Sequence, residues 1–316
     1  MKRALALTTV GAVIAAIATG CGAAGAGSSA GFSGDGKVRV ATTTNFITDL
    51  AKTVGGDRVQ VVGLMGPGVD PHLYRASAGD VETLREADIV LYGGLFLEAK
   101  MQDVLEEIGE SKPAVAVTED IPKDRLVAAP FGAPAEEEYD PHVWFDVSLW
   151  RYAVETVRDE LSAVDRDAAE AYARNAEEYL AELTRLEAEV RSELGAIPAQ
   201  RRVLVTSHDA FRYLGHAYGV EVAAIQGIST AAEATTDDIE RVATLVAERG
   251  VKAVFIESSV PRQTIEAVLA AARERGHTTR IGGEIFSDSA GTAGTPEGTY
   301  VGMVRANVAT LVEGLK

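Results

Sequence analysis

The feature that most constrains the fold is a long stretch, residues 166–194, that contains neither Gly nor Pro. Apolar side chains recur in it at steps of three or four residues: Tyr172, Ala176, Tyr179, Leu183, Leu186 and Val190. That spacing predicts one amphipathic helix, which ends before Gly195 and Pro198. At a rise of 1.5 Å per residue the helix is about 43 Å long. A connector of that length can run along two globular halves and opposes large hinge motions between them.

Short apolar segments alternate with helical segments on both sides of this helix. Strand-like runs lie at 38–41, 59–65, 89–92, 114–117, 203–206, 222–225, 251–256 and 281–286, with helices predicted at 46–54, 81–87 and 210–218. Such alternation is typical of parallel sheets covered by helices. The prediction is an α/β protein with two lobes, 37–165 and 195–316, each a parallel sheet flanked by helices. The rigid helix 166–194 joins them.

The N-terminal segment has the pattern of an export signal followed by a tether. Met1-Lys2-Arg3 is basic, and an uncharged, Ala-rich run follows it, as in a secretory signal peptide, here 1–20. The run Ala18-Thr19-Gly20-Cys21 resembles a bacterial lipobox, which implies that Cys21 is lipidated. The residues after it are largely Gly, Ala and Ser, so 21–36 is predicted to be a flexible, lipid-anchored tether. An ordinary signal peptide with an incidental Cys is the alternative.

Composition excludes several classes of protein. The chain has 47 Asp and Glu against 30 Lys and Arg, a formal net charge of −17. Nucleic-acid binding needs clustered Lys and Arg, so no nucleic-acid partner is expected. The single Cys excludes an intrachain disulfide framework and a Cys-rich zinc module.

Three of the five His residues stand in similar settings, just after a predicted strand or a turn. His72 and His142 each follow Asp-Pro, and His208 follows the strand 203–206. In open α/β sheets ligands gather at the carboxyl ends of the strands, where Asp288 also lies. Three imidazoles and one carboxylate suit a divalent metal, zinc first and manganese next. Their wide separation predicts a site in the cleft between the lobes, with two ligands from each.

Each candidate has a structural alternative. A lone His usually belongs to a surface or a core and binds nothing, and Ser207-His208-Asp209 could instead begin a capped helix. His216, inside a predicted helix, and His277, in a turn, are interpreted as structural or exposed. For the carboxylate ligand, Glu284 is a nearby competitor of Asp288.

Several further motifs extend along nearly the whole mature chain: Thr43-Thr44-Asn45-Phe46, Gly68-Val69-Asp70-Pro71-His72-Leu73-Tyr74, Gly93-Gly94-Leu95-Phe96-Leu97-Glu98, Asp140-Pro141-His142-Val143-Trp144-Phe145-Asp146, Ser207-His208-Asp209-Ala210-Phe211-Arg212-Tyr213-Leu214, Phe255-Ile256-Glu257 and Asp288-Ser289. Together with the long helix, they resemble the solute-binding protein family 9. That family comprises the metal-binding proteins of bacterial zinc and manganese ABC importers.

The resemblance implies a ligand set and a function. Family members hold the metal at the positions that match His72, His142, His208 and Asp288, and deliver it to a membrane permease that works with an ATPase. The position of His208 is Glu in many manganese importers, so His favours zinc, with manganese as the alternative. The His-rich loop of many zinc members is replaced by the short acidic segment 134–138. The expectation is a monomeric, non-enzymatic zinc-binding lipoprotein on the outer face of the cell membrane.

Two functions of other classes stay open as alternatives. A secreted zinc hydrolase needs an open coordination position and a general base. The four predicted ligands leave no position open, and the chain has no His-Glu-x-x-His stretch. An adhesin is the other alternative, for which the sequence offers no motif.

Proton competition gives a further expectation for a site with three His ligands. Metal binds neutral His, so protons and metal compete for the ring nitrogens. With ordinary His pKa values near 6.5, metal affinity is expected to fall steeply below about pH 6.

Overall fold

A computed structural model describes residues 32–130 and 133–316. The predicted signal peptide, 1–20, and the predicted lipidation site, Cys21, lie outside these residues. At the end of the predicted tether, Ser33 N donates to Gln60 Oε1 at 2.7 Å, and Phe32 packs against buried apolar side chains. Within the described ranges, no helix combines the length and the apolar character that crossing a membrane requires.

The first lobe alternates strands and helices in the order β1 (Val38–Thr42), α1 (Asn45–Gly55), β2 (Val59–Gly63), α2 (Ala78–Glu86), β3 (Ile89–Tyr92), α3 (Gln102–Gly109) and β4 (Ala114–Ala116). Its four strands form a parallel sheet in the order β2-β1-β3-β4. In the central strand β1, Val40 pairs with Val61 on one side and with Ile89 on the other. Val40 and Ile89 are fully buried, as expected where helices cover a parallel sheet.

Two long helices follow the first sheet, α4 (Val147–Val164) and α5 (Ala169–Gly195). All six apolar residues that predicted the connecting helix are buried on α5. The first residues of the predicted helix form a separate 3-10 turn, Arg166–Ala168. The sequence patterns do not predict α4, which packs along α5. This helix begins at Val147, directly after its cap residue Asp146, whose side chain accepts a hydrogen bond from Ser148 N. The lobes are therefore joined by a layer of helices, since α1 and α9 (Tyr300–Leu315) also contact α5.

The second lobe continues the alternation with β5 (Val203–Thr206), α6 (Arg212–Tyr218), β6 (Glu221–Ala224), α7 (Thr236–Arg249), β7 (Ala253–Glu257), α8 (Gln263–Glu274), β8 (Arg280–Ile285) and α9. Its strands pair in parallel, β5 with β6 and β7 with β8, and β5 lies beside β7. The strand predicted at 251–256 begins at Ala253, because Val251 N bonds instead to Val246 O at the end of α7. The predicted fold class, two α/β lobes with parallel strands and a long connecting helix, is confirmed.

One continuous apolar core includes side chains from both lobes. The ring of Phe46, on α1, lies 4.6 Å from that of Trp144, centroid to centroid. Trp150, on α4, stacks on Tyr300 at the start of α9 with a centroid distance of 5.0 Å. This shared core, with α5 behind it, favours small movements between the lobes over large ones.

Candidate metal centre

The four predicted ligands, His72, His142, His208 and Asp288, converge in the cleft between the lobes, with one ligand atom of each within 4.8 Å of the others. His72 lies in the loop after β2, and His142 lies in the turn that precedes α4. His208 follows β5, and Asp288 follows β8. The ends of strands and the start of a helix therefore bring the four side chains together, two from each lobe.

The ring nitrogens and one carboxylate oxygen face a common point. His142 Nε2 lies 3.3 Å from Nε2 of both His72 and His208. Asp288 Oδ1 lies 3.4 Å from His142 Nε2 and 3.3 Å from His208 Nε2. A tetrahedral ion with ligand bonds of about 2.0–2.1 Å places its ligand atoms about 3.3–3.4 Å apart. These four separations therefore fit the edges of a tetrahedral metal site.

Two carboxylates behind the cluster fix the orientation of two of the rings. Asp140 Oδ1 pairs with His142 Nδ1 at 2.7 Å, and Glu257 Oε2 pairs with His208 Nδ1 at 2.5 Å. A ring that is protonated at Nδ1 for its carboxylate partner leaves the lone pair of Nε2 available to a metal. Both carboxylates are almost completely buried, at 0% and 4% exposure. Their partners are these rings, neighbouring backbone N–H groups and, for Asp140 Oδ2, the guanidinium of Arg212 at 3.7 Å.

Neither carboxylate has a role that the sequence alone predicted. Asp140 had a usable signal, because it lies two residues before His142 in the Asp-Pro-His motif. The same position before His72 behaves differently: Asp70 accepts hydrogen bonds from His72 N at 2.9 Å and from Thr230 Oγ1 at 2.5 Å. Glu257 appeared only as part of a family motif, since nothing in the local sequence pairs it with His208.

The surroundings of Asp288 Oδ1 show whether the cluster fits a cation. The Asp288 side chain is fully buried, and no donor among the described residues makes a hydrogen bond to this oxygen. Its other oxygen, Oδ2, accepts from Ser259 Oγ at 3.2 Å. A buried carboxylate oxygen without a donor is costly unless a cation lies beside it. The donor set therefore fits a divalent metal ion.

Burial and neighbouring charges move the pKa values of the metal-free cluster apart. At His142 burial acts to lower the pKa, but Asp140 and Asp288 outweigh it and raise the pKa to about 9. Asp288 and Glu257 likewise outweigh burial at His208 and raise its pKa well above the usual value. Burial lowers the pKa of His72 to about 3. The pKa of Asp288 lies well below its usual range, because the two rings outweigh the effect of burial.

The expectation of ordinary His pKa values near 6.5 is therefore wrong for all three rings. Proton competition at His142 and His208 extends to neutral pH and above, whereas His72 stays neutral far below it. The difference follows from the carboxylates, which stand behind His142 and His208.

The competing residues lie outside the cluster. His216 is exposed on α6, and Glu284 is exposed on β8. His277 Nε2 lies 2.8 Å from Val251 O, next to the turn after α8. His208 does not cap a helix, because α6 begins at Arg212 without a side-chain cap.

The fold and the site together define a class of protein. Two α/β lobes, a stiff helical connector and a buried cluster of metal-ligating side chains in the cleft are the features of the substrate-binding proteins of metal ABC importers. The chain belongs to the family described as zinc-uptake complex component A, periplasmic, whose model matches residues 40–314. The resemblance predicted from the sequence motifs is thereby confirmed.

The names of similar proteins refer to two different metals, manganese and zinc. The chain is 48% identical over 298 residues to the manganese-binding lipoprotein MntA of Bacillus subtilis (strain 168), which covers 94% of this chain and 95% of that protein. It is also 48% identical over 281 residues to the zinc-binding protein TroA of Treponema pallidum (strain Nichols), covering 89% and 90% of the two chains. The solved structure of the periplasmic zinc-binding protein TroA from Treponema pallidum superposes with a TM-score of 0.85 at 48% identity, covering 89% of this chain and 99% of that one.

Proposed function

We propose that this substrate-binding protein captures zinc outside the cytoplasmic membrane and delivers it to the permease of an ABC importer. The observation that supports this most strongly is the buried convergence of three Nε2 atoms and Asp288 Oδ1 on one point. In this proposal His72, His142, His208 and Asp288 are the four metal ligands.

The donor set favours zinc over manganese. Imidazole nitrogens raise affinity along the Irving–Williams order, in which zinc stands above manganese, whereas manganese suits oxygen-rich sites. The four short separations also match the tetrahedral geometry that zinc adopts with four protein ligands. With one carboxylate, the bound ion leaves a site of net charge +1, and Asp140 and Glu257 lie directly behind it.

Manganese is the second candidate. The Bacillus subtilis relative, at 48% identity, is named as a manganese-binding lipoprotein. Asp288 supplies one oxygen atom close to the ring nitrogens, and the Ser259 hydroxyl lies 3.2 Å from its other oxygen, Oδ2. The donor chemistry still favours zinc, because three of the four inward-facing atoms are nitrogen.

Storage and release of a cargo ion suit this site better than catalysis. A catalytic zinc site keeps one position open for water or substrate. Here four side chains that are at most 2% exposed surround the common point. We therefore propose that the protein is not an enzyme, which sets aside the secreted hydrolase.

The location and the partners are part of the same proposal. Cys21 carries a lipid that holds the protein on the outer face of the cell membrane, and the permease with its ATPase receives the ion. The protein acts as a monomer and binds no nucleic acid. The division into signal peptide 1–20, tether 21–36, lobes 37–165 and 195–316 and connecting helix 166–194 stays a prediction.

Competition between the two metals tests this proposal. Protein isolated without added metal is analysed for its elemental content and then titrated at neutral pH with zinc and manganese together. We expect one zinc per chain and zinc that equal concentrations of manganese do not displace. Displacement of zinc by manganese would assign the second candidate, and binding of neither metal would refute the proposal.

A further inference from the structure

The segment that carries Asp288 is held by the opposite lobe. Residues 286–290 follow β8 in the second lobe, yet groups of the first lobe bond to the residues on either side of Asp288. Trp144 Nε1 donates to Ser287 O at 3.1 Å, and Gly68 N donates to Ser289 Oγ at 2.8 Å. Trp144 lies two residues after the ligand His142, and Gly68 lies in the loop of the ligand His72. The loops of two ligands therefore contact the segment of a third.

Asn45, the first residue of α1, makes the most complete of these contacts. Its Nδ2 donates to Ala290 O at 2.7 Å and its Oδ1 accepts from Ala290 N at 2.8 Å. Nδ2 also lies 3.3 Å from Gly291 O. One amide side chain thus satisfies both backbone groups of Ala290, a residue that is fully buried. Buried backbone groups need such partners, so the position of Ala290 depends on Asn45.

A second Asn holds the other end of the same segment, but from within its own lobe. Asn307, on α9, accepts from Phe286 N at 2.8 Å and donates to Phe286 O at 2.7 Å. Asp288 lies midway between the two clamped residues, Phe286 and Ala290. The two clamps have the same chemistry, and they differ in the lobe that supplies them.

We propose that Asn45 is a positioning residue of the metal centre, which fixes the carboxylate of Asp288 to the lobe that carries His72 and His142. This inference rests on the proposed metal-binding function. It means that the carboxylate of Asp288 reaches its place beside the other ligands only when the two lobes are together. When the lobes move apart, either the clamp on Ala290 breaks or Asp288 moves away from His208.

A double-mutant cycle tests whether Asn45 acts through Asp288. Zinc affinity is measured by competition with a chelator for the wild type, Asn45→Ala, Asp288→Ala and the double variant. We expect Asn45→Ala to weaken zinc binding about 10- to 100-fold, as loss of a group that orients a ligand does. We expect the double variant to bind zinc within about threefold of Asp288→Ala, because the carboxylate that Asn45 positions is already gone. The absorption spectrum of the cobalt-loaded Asn45→Ala protein should resemble that of Asp288→Ala.

Asn307→Ala is the matched control, since it removes an equivalent pair of hydrogen bonds, those to Phe286, from the same segment. It should lower the melting temperature as much as Asn45→Ala does, yet change zinc affinity less than about threefold. Equal losses of affinity in the two variants, or an Asn45→Ala affinity near that of the wild type, would overturn the inference. Fully additive effects in the cycle would do the same.

Two provisions keep the outcome interpretable. If Asn45→Ala does not fold, Asn45→Ser takes its place in the cycle, because Ser keeps a polar side chain but lacks the amide that bonds to both backbone groups of Ala290. Wild-type protein that binds no zinc would refute the proposed function itself. Wild-type binding that is weakened by Asp288→Ala and unchanged by Asn45→Ala would refute only the role of Asn45.

Discussion

Asp140→Asn separates two effects of the carboxylate behind His142. In the metal-free protein this carboxylate, together with Asp288, outweighs burial and raises the pKa of His142 to about 9. The ring is therefore protonated at neutral pH and must lose its proton before zinc can bind. The same carboxylate also orients the ring by its 2.7 Å contact with Nδ1. The substitution removes the charge, and it keeps the size of the side chain.

The two effects have opposite signs, and their sizes can be compared. At pH 7 a pKa of about 9 means that the proton on His142 costs the wild type about 100-fold in zinc affinity, or about 3 kcal/mol. Asp140→Asn removes the larger part of that cost, since Asp140 raises the pKa more than Asp288 does, but losing the orienting partner weakens binding by about 10- to 100-fold. The wild type and the variant should therefore bind zinc about equally at pH 7. Near pH 9 about half of the His142 rings are neutral, so the proton costs only about twofold, and the wild type should bind about 10- to 100-fold more tightly.

Chelator-buffered zinc titrations at pH 7, 8 and 9 measure this ratio of affinities. Calorimetry at pH 7 in two buffers of different ionisation enthalpy should show about one more proton released per zinc by the wild type than by the variant. Asp88→Asn, which removes a carboxylate paired with Arg39, is the control and should follow the wild type at every pH. A ratio of wild-type to variant affinity that does not change with pH would refute the reasoning.

The raised pKa also predicts how the metal-free protein responds to pH. A group whose pKa is raised on folding contributes stability that is complete below its unfolded pKa and is lost as pH rises through the folded value. For His142 that window runs from about 6.5 to about 9. Metal-free wild type should therefore lose thermal stability over this range, and Asp140→Asn should lose less.

Three further predictions concern other parts of the chain. His72→Ala should weaken zinc binding by at least about 10-fold, because it removes a ligand, while the exposed His216→Ala should bind zinc as the wild type does; a His72 variant of full affinity in the same titration would exclude this ligand set. Cys21→Ala should release the protein from the membrane or leave it unprocessed, so fractionation that shows unchanged membrane association would mean that another anchor exists. Leu183→Ala, at a fully buried position of α5, should lower the free energy of unfolding by about 2–5 kcal/mol; denaturant melts that show a loss below 1 kcal/mol would mean that α5 does not carry the shared core.

Local patterns in the sequence were sufficient wherever a residue's environment repeats along the chain. The apolar steps on 166–194 predicted α5, because a helix that buries one face must repeat its apolar residues at that period. The strand runs predicted the two parallel lobes for the same reason. The helix α4 was not predicted. The start of β7 was placed two residues early, because Val251 N bonds to Val246 O at the end of α7 and not to a neighbouring strand.

The sequence also determined which side chains are chemically able to hold a metal, since Asp-Pro-His occurs twice and His is rare in the chain. It could not predict which groups bond to those side chains or hold the segments that carry them. Glu257 meets His208 across 49 residues of chain, and Asn45 meets Ala290 across 245. Such pairs lie at no fixed period, because they depend on how loops from separate strands and separate lobes pack. The pKa values of the rings and the position of Asp288 were therefore decided by the tertiary structure, since burial and charge act through space and not along the sequence.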